Sequence, residues 1–301
     1  MSTLHAHHDG DATKMTGGFM SKPLLVCRKS DDEIKPKLKV FCVGYEQGRW
    51  RAQELVRDAF RRHLTSFALS YSEWQKVDGD SAAAALARSA KMVYDTDKYE
   101  RRGEFGELIL HGILRDFYGA EPAVSKIFFL DSPNETAKGF DAVHVVVDDT
   151  GELDVWLGEA KLYTDMKSAI NAVVRSIQDH ISNEFLRREF IAVSNKFDDG
   201  WPHSAALTEL LDENTSLDVI LDRIVMPVLL TFQSDVIARH NKVSDAYIED
   251  LLQEAQEAWE IFKDGLPADF PVVIAFIVLP LKETKAVRDL AHNTLMTYQT
   301  L

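Results

Sequence analysis

The sequence predicts an α/β protein in which a mixed sheet is flanked by helices. Three features predict it. Valine-rich and apolar runs at 140–148 and 153–162 are parted by Asp149-Thr150-Gly151, a hairpin turn signal. Apolar residues recur at helical spacing over 99–118 before this pair and over 166–187 after it. A nearly continuous apolar run, Phe270–Leu281, has the pattern of a strand buried on both faces.

The elements follow in chain order. Residues 1–20 are a polar lead with no apolar core of a secretory signal, and His5, His7 and His8 within it fit disorder better than a metal site. Residues 21–95 form an N-terminal α/β region. Leu24–Cys27 and Leu38–Val43 are strand-like and pair as a hairpin across the charged 29–37 link. Arg49–Leu64 is an amphipathic helix with Leu55, Val56, Ala59 and Phe60 inward. Ser81–Tyr94 is alanine-rich and helical. This region carries no chemical motif, so structure or partner docking is its expected role.

Residues 96–301 hold the chemistry. Tyr99–Tyr118, YERRGEFGELILHGILRDFY, places Phe105, Leu108, Ile109, Gly112, Ile113 and Phe117 on one helical stripe and ends at Gly119. It also carries Glu104 and Glu107. Met166–Arg187 is a second helix, with Ile170, Val173, Val174, Ile177 and Ile181 as its stripe. Phe190–Ser194 has the composition of a short strand. Ser204–Leu211 is a helical patch after Trp201-Pro202-His203. Asp218–Ile224 leads into a strand at Val225–Phe232, in which Pro227 predicts an edge position or a bulge. Val243–Lys263 is a long acidic helix with Ser244 as N-cap, Gly265 as stop and Trp259 on its core face. Glu283–Tyr298 is a final helix. No internal repeat, Gly-rich phosphate loop or GK[ST] triplet is present, so nothing marks an ATP site.

The segment Phe140–Lys161 is the most informative. A three-residue loop centred on Thr150 puts Asp148 opposite Glu152 and, counting outward, Asp141 opposite Glu159. Strand alternation puts Asp141 on one face with Val143, Val145 and Val147, and Glu159 and Lys161 with Leu153, Val155 and Leu157. The other face carries His144, Asp148, Asp154 and Trp156. Two carboxylates and an ammonium therefore lie on the more apolar face. Charges there are costly unless paired or bound to metal. A magnesium-type dication takes oxygen ligands at about 2.0–2.1 Å and keeps several waters. Asp141, Glu159 and the Ala160 carbonyl are candidate donors. Lys161 points the same way as Glu159, where it can orient or help deprotonate water and stabilise phosphate charge. A helix carboxylate completes the set, with Glu107 favoured and Glu104 the alternative. The plainer reading is a solvated, ion-paired hairpin.

This order, helix with glutamate, strand with Asp141, turn, strand with Glu159-Ala160-Lys161, helix, resembles the PD-(D/E)xK nuclease superfamily. Within it, RGEFGELILHGIL, GFDAVH and GEAKLY resemble the HamA family, nuclease subunits of Hachiman anti-phage defence systems. The resemblance implies a restriction-endonuclease-like mixed sheet flanked by helices, with additional N-terminal and C-terminal α/β elements. It implies Asp141, Glu159 and Lys161 as catalytic residues with Glu107 in support. The implied cofactor is Mg2+, with Mn2+ as a substitute. The implied partners are DNA and a HamB-type DNA helicase. Phe140 stands where the superfamily often has a proline. In resembling nucleases, polar residues on the next helix touch the DNA backbone or the metal ligands' partners, which nominates Arg175 and Gln178.

Charge narrows the expectation. The formal net charge is −14, whereas a stand-alone DNA binder usually shows a basic face. Either arginines cluster locally (Arg49, Arg51, Arg57, Arg61, Arg62, Arg101, Arg102, Arg187 and Arg188 are the candidates), or a partner delivers the DNA. Cys27 and Cys42 lie in strand-like runs and read as free thiols, which suits the cytoplasm. No run approaches membrane-spanning length. Two alternatives stay open beside a defence nuclease: a non-catalytic docking subunit, and a restriction or repair nuclease of the same fold.

Overall fold

The computed structural model describes residues 22–93, 103–124, 140–148, 150–181, 183–194, 197–198 and 200–301. Its elements in chain order are β1 (Val26–Asp31), β2 (Lys37–Cys42), β3 (Tyr45–Glu46), β4 (Arg49–Trp50), α1 (Ala52–Ala68), α2 (Tyr71–Trp74), α3 (Ala82–Val93) and α4 (Glu104–Tyr118). There follow β5 (Glu121–Val124), β6 (Ala142–Val147), β7 (Leu153–Leu162), α5 (Met166–His180), α6 (Asn183–Ser194), α7 (Ser204–Leu210) and α8 (Leu217–Leu221). The chain ends with β8 (Ile224–Thr231), α9 (Asp235–Arg239), α10 (Asp245–Asp264), β9 (Val273–Val278) and α11 (Thr284–Gln299).

The strands β1-β2-β9-β8-β7-β6-β5 form one seven-stranded sheet. The four inner strands β2, β9, β8 and β7 are parallel neighbours, and β1, β6 and β5 join antiparallel at the edges. The sheet is thus mixed and has helices on both faces, as the sequence predicts. Of its inner strands, β8 and β9 are almost wholly apolar because both faces are covered. Val155, Leu157, Val228, Leu230, Phe276 and Val278 face one core with Val173, Ile177, Leu251 and Phe262. Trp156, Ala160, Leu229, Ala275 and Ile277 face the other with Leu55, Phe60, Leu108, Ile113 and Val287. The Phe262 and Phe276 rings stack at 4.3 Å, and burying one such ring stabilises by about 1.5–3 kcal/mol. α5 and α10 cover the first face, and α1, α3, α4 and α11 build the second layer.

Four expectations need correction. Phe190–Ser194 is not a strand but the end of α6, and the helix expected over 166–187 stops at Ile181. Leu186, Phe190 and Val193 recur at helical spacing and all are buried, while Ser194 Oγ bonds back to the Phe190 carbonyl at 2.7 Å. Burial of that face overrides the β preference of a short apolar run. Pro227 lies in β8, a central strand rather than an edge. The β7–β8 register holds at Trp156↔Val225 and resumes at Glu159↔Val228, with pairing lapsing beside the proline. Gly158 stands there, and a Cβ on it would meet the Pro227 ring at 3.5 Å. Finally, Arg49–Trp50 pairs with Tyr45–Glu46, so the helix expected from Arg49 starts at Ala52.

Other expectations hold. Ser244 caps α10 by accepting the Tyr247 N–H, and buried Trp259 donates its ring N–H to the Pro36 carbonyl at 2.8 Å. Cys27 and Cys42 are free thiols. No helix among the described residues is long and apolar enough to cross a membrane.

Candidate active site

The β6–β7 turn fixes the register of everything beyond it. Asp148 Oδ1 accepts the N–H groups of Thr150 at 2.8 Å and Glu152 at 3.0 Å. Gly151 takes φ 87°, the left-handed region where glycine has no steric cost. The Asp148 N–H then bonds to the Glu152 carbonyl at 2.9 Å. The ladder runs from Val147↔Leu153 to Ala142↔Gly158. One step further the Asp141 N–H also turns to the Gly158 carbonyl, at 2.9 Å, so the regular ladder ends at Ala142↔Gly158 and Asp141 stands at its end beside Gly158 rather than squarely opposite Glu159. As far as Ala142↔Gly158, the register is the one that the three-residue loop predicts.

β6 begins at Ala142, whereas β7 continues to Leu162. Among the described residues, no strand pairs with the last residues of β7 on that side. Asp141 occupies the gap: its Oδ2 accepts the Ala160 N–H at 2.9 Å. The N–H and C=O of a strand residue point to the same side, so the Ala160 carbonyl faces the same gap. Two residues on, the Leu162 carbonyl accepts the Arg288 guanidinium of α11.

Glu159 is only 2% exposed. Its Oε1 accepts the Ser176 hydroxyl at 2.7 Å and the Lys161 ammonium. Its Oε2 is buried and has no hydrogen-bond partner among the described residues. His180 Nδ1 lies 3.7 Å from it and, among the described residues, is itself without a hydrogen bond. Burial works against the Lys161 charge, but the carboxylates of Glu159 and Asp141 outweigh it and hold the ammonium above the usual lysine range. Burial also lowers the His180 pKa, against the pull of Glu159 and Asp141. The His180 ring stacks on Phe185 at 4.5 Å and meets Phe140 edge-on at 5.0 Å. Phe140 thus packs beside the carboxylates, in the position before Asp141.

The structure brings Asp141, Glu159, Lys161 and the Ala160 backbone together. The helix glutamates approach from the other layer. Gly106 of α4 rests on β7, where an added Cβ would lie 3.6 Å from Leu162 Cβ and 3.7 Å from Ala160 Cβ. Glu107 is buried in the first turn of α4, and Glu104 lines a small cavity with Arg288. Among the described residues no three His, Cys, Asp or Glu side chains form a cluster able to hold a metal. Glu107 therefore does not close a three-carboxylate set with Asp141 and Glu159 in this conformation. The donors present still suit a hard dication: two carboxylates, one gap-facing carbonyl, and a desolvated Glu159 oxygen with no hydrogen bond.

Sequence reasoning nominated Arg175 and Gln178 on α5. Both are exposed, and Arg175 donates to the Asn171 carbonyl of its own helix. The residues of α5 that reach Glu159 are Ser176 and His180. Their spacing of one turn, on the flank of Val173 and Ile177, was the available signal.

Among the described residues, Arg57, Arg61 and Arg62 line one pocket of α1 together with Glu54 and Asp58, while Arg51 and Arg187 do not line it. Arg62 forms a two-pronged pair with Asp116 at 2.6 and 2.7 Å, Arg51 lies 3.7 Å from Glu46, and Arg187 donates to the Glu213 and Thr215 carbonyls. Arg57 and Arg61 are exposed one turn apart on α1. Arg101 and Arg102 lie outside the described residues, as do His5, His7, His8 and Asp149.

Compared with known families, the chain matches the HamA family over residues 20–295. No curated protein matches it.

Proposed function

Because the chain belongs to the HamA family, we propose that it is a metal-dependent DNA nuclease that acts in anti-phage defence together with a DNA helicase of the HamB type. The observation that supports this reading best is the meeting of Asp141, Glu159 and Lys161 at the end of β7, where a buried Glu159 oxygen lacks a hydrogen bond. A protein without chemistry there has little reason to keep such a costly carboxylate on a core face.

Asp141, Glu159 and the Ala160 carbonyl would hold a magnesium-class cation. When bound, such an ion supplies Lewis-acid polarisation of a phosphoryl oxygen and a more acidic water. The remaining work falls to the chain's own groups. Asp141 is aligned by the Ala160 N–H, and Glu159 by Ser176 and Lys161. Lys161, paired with Glu159, is placed to orient or help deprotonate the attacking water and to stabilise charge on the phosphate.

The surface supports reliance on a partner. The chain carries net charge −14, and Arg51, Arg62 and Arg187 are engaged internally. A helicase that brings DNA to the site removes the need for a basic face of the chain's own. The test is cleavage of duplex and single-stranded DNA by the full chain alone and with its helicase, with Mg2+ or EDTA. We expect cleavage that needs both Mg2+ and the partner. Strong cleavage by the chain alone would count against partner dependence. A complex that binds DNA yet never cuts it would favour the docking-subunit reading.

A further inference from the structure

We infer that Ser176 and His180, one turn apart on α5, are positioning residues that orient the Glu159 carboxylate for a divalent cation. The inference rests on the metal-site reading above but concerns residues outside the Asp, Glu-x-Lys set. Glutamate is rich in rotamers, and an unrestrained side chain would have to be ordered when a cation binds. Here the ordering is already done. Glu159 Oε1 takes the Ser176 O–H from the helix layer at 2.7 Å and the Lys161 ammonium from its own strand. Two donors from different elements fix that oxygen. Oε2 is then the oxygen left for a ligand, buried and without a hydrogen bond.

His180 closes the far side of Oε2, with Nδ1 at 3.7 Å. Its own freedom is small, because Phe185 stacks on it and Phe140 packs edge-on. Phe140 directly precedes Asp141. One aromatic contact therefore ties the two candidate carboxylates to the same helix: Phe140 stands next to Asp141 and touches His180, which faces Glu159. Groups that hydrogen-bond a ligating carboxylate or wall its site tune metal affinity without touching the metal.

The test is Mn2+ binding to the full chain without DNA, by titration calorimetry, alongside the melting temperature of the metal-free protein. Ser176→Ala should weaken Mn2+ binding by about tenfold to a hundredfold. Ser176→Thr, which keeps the hydroxyl, should restore most of it. His180→Phe keeps the ring stack and should weaken binding in the same direction. If Ser176→Ala also lowers the metal-free melting temperature, Ser176→Thr decides: restored affinity supports the inference, and none overturns it. Wild-type Mn2+ affinity in both Ser176→Ala and His180→Phe, with binding lost in Glu159→Gln, overturns the positioning role while leaving the metal site standing. Mn2+ binding that survives Glu159→Gln overturns the metal site itself, and this inference with it.

Discussion

Asp141 and Ala160 are joined across the open end of the hairpin, the carboxylate Oδ2 accepting the backbone N–H at 2.9 Å. One side chain thus ends the β6–β7 ladder and presents its charge to the site. Asp141→Asn separates these two jobs, because an amide oxygen still accepts the N–H but carries no charge. We expect a folded protein with near-wild-type melting and DNA cleavage reduced about a hundredfold or more, the usual cost of removing one electrostatic group from a reacting centre. Cleavage assays with the helicase present, read beside thermal melts, check this. An active Asp141→Asn protein would remove Asp141 from the chemistry.

Gly158 is the second point of tension. A Cβ there would lie 2.9 Å from Leu110 Cδ2, 3.0 Å from Ala142 Cβ and 3.5 Å from Pro227 Cγ. Three elements meet at that Cα, and none of these neighbours is the loose end of a long side chain. Gly158→Ala should destabilise the fold by about 1–3 kcal/mol through overpacking, read as a lower urea midpoint. An unchanged midpoint would mean that α4 and β8 yield more readily than their packing implies.

A buried histidine pair gives the fold a pH dependence away from the candidate site. His111 Nδ1 meets His144 Nε2 at 2.9 Å, and His111 Nε2 meets Ser66 Oγ at 2.9 Å. Burial, with Arg115 nearby, pushes the His144 pKa down to about 3. Burial, with His144 and Arg115, holds His111 well below the usual histidine range. Both are neutral when folded, while in the unfolded chain they titrate near about 6.5. As pH falls below that value the unfolded state binds protons that the folded state refuses. Stability is therefore lost on acidification, by up to about 1.4 kcal/mol per pH unit for each histidine. Urea midpoints from pH 7 to pH 5 should fall, and His144→Gln should flatten the slope. An identical slope in that variant would contradict the assignment.

The lone stretch from Asp141 to Lys161 was legible because strand period, turn chemistry and charge all agree there. Counting from Gly151 was enough to give the register as far as Ala142 and Gly158, since a hairpin register is local. The central position of Phe270–Leu281 was legible for a similar reason: apolar residues on both faces need two covering layers. What stayed hidden depends on distant partners. Pro227 sits in a central strand where the β7–β8 ladder lapses between Trp156↔Val225 and Glu159↔Val228, a neighbour relation that its own sequence window does not state. Phe190–Ser194 is helical because Leu186, Phe190 and Val193 share a buried face, which a five-residue window cannot reveal. Ser176 reaches Glu159 across a strand–helix packing whose rotation the sequence does not state.

The central claim is that Glu159 and Lys161 serve DNA cleavage, and one measurement addresses it directly. The Glu159→Ala, Lys161→Ala double variant, assembled with the proposed helicase partner, is assayed for Mg2+-dependent DNA degradation, with complex formation followed on the same sample. The account predicts cleavage lost to background with assembly intact, a fall of at least about a hundredfold. Cleavage at the wild-type rate by the assembled variant would place the chemistry elsewhere in the complex.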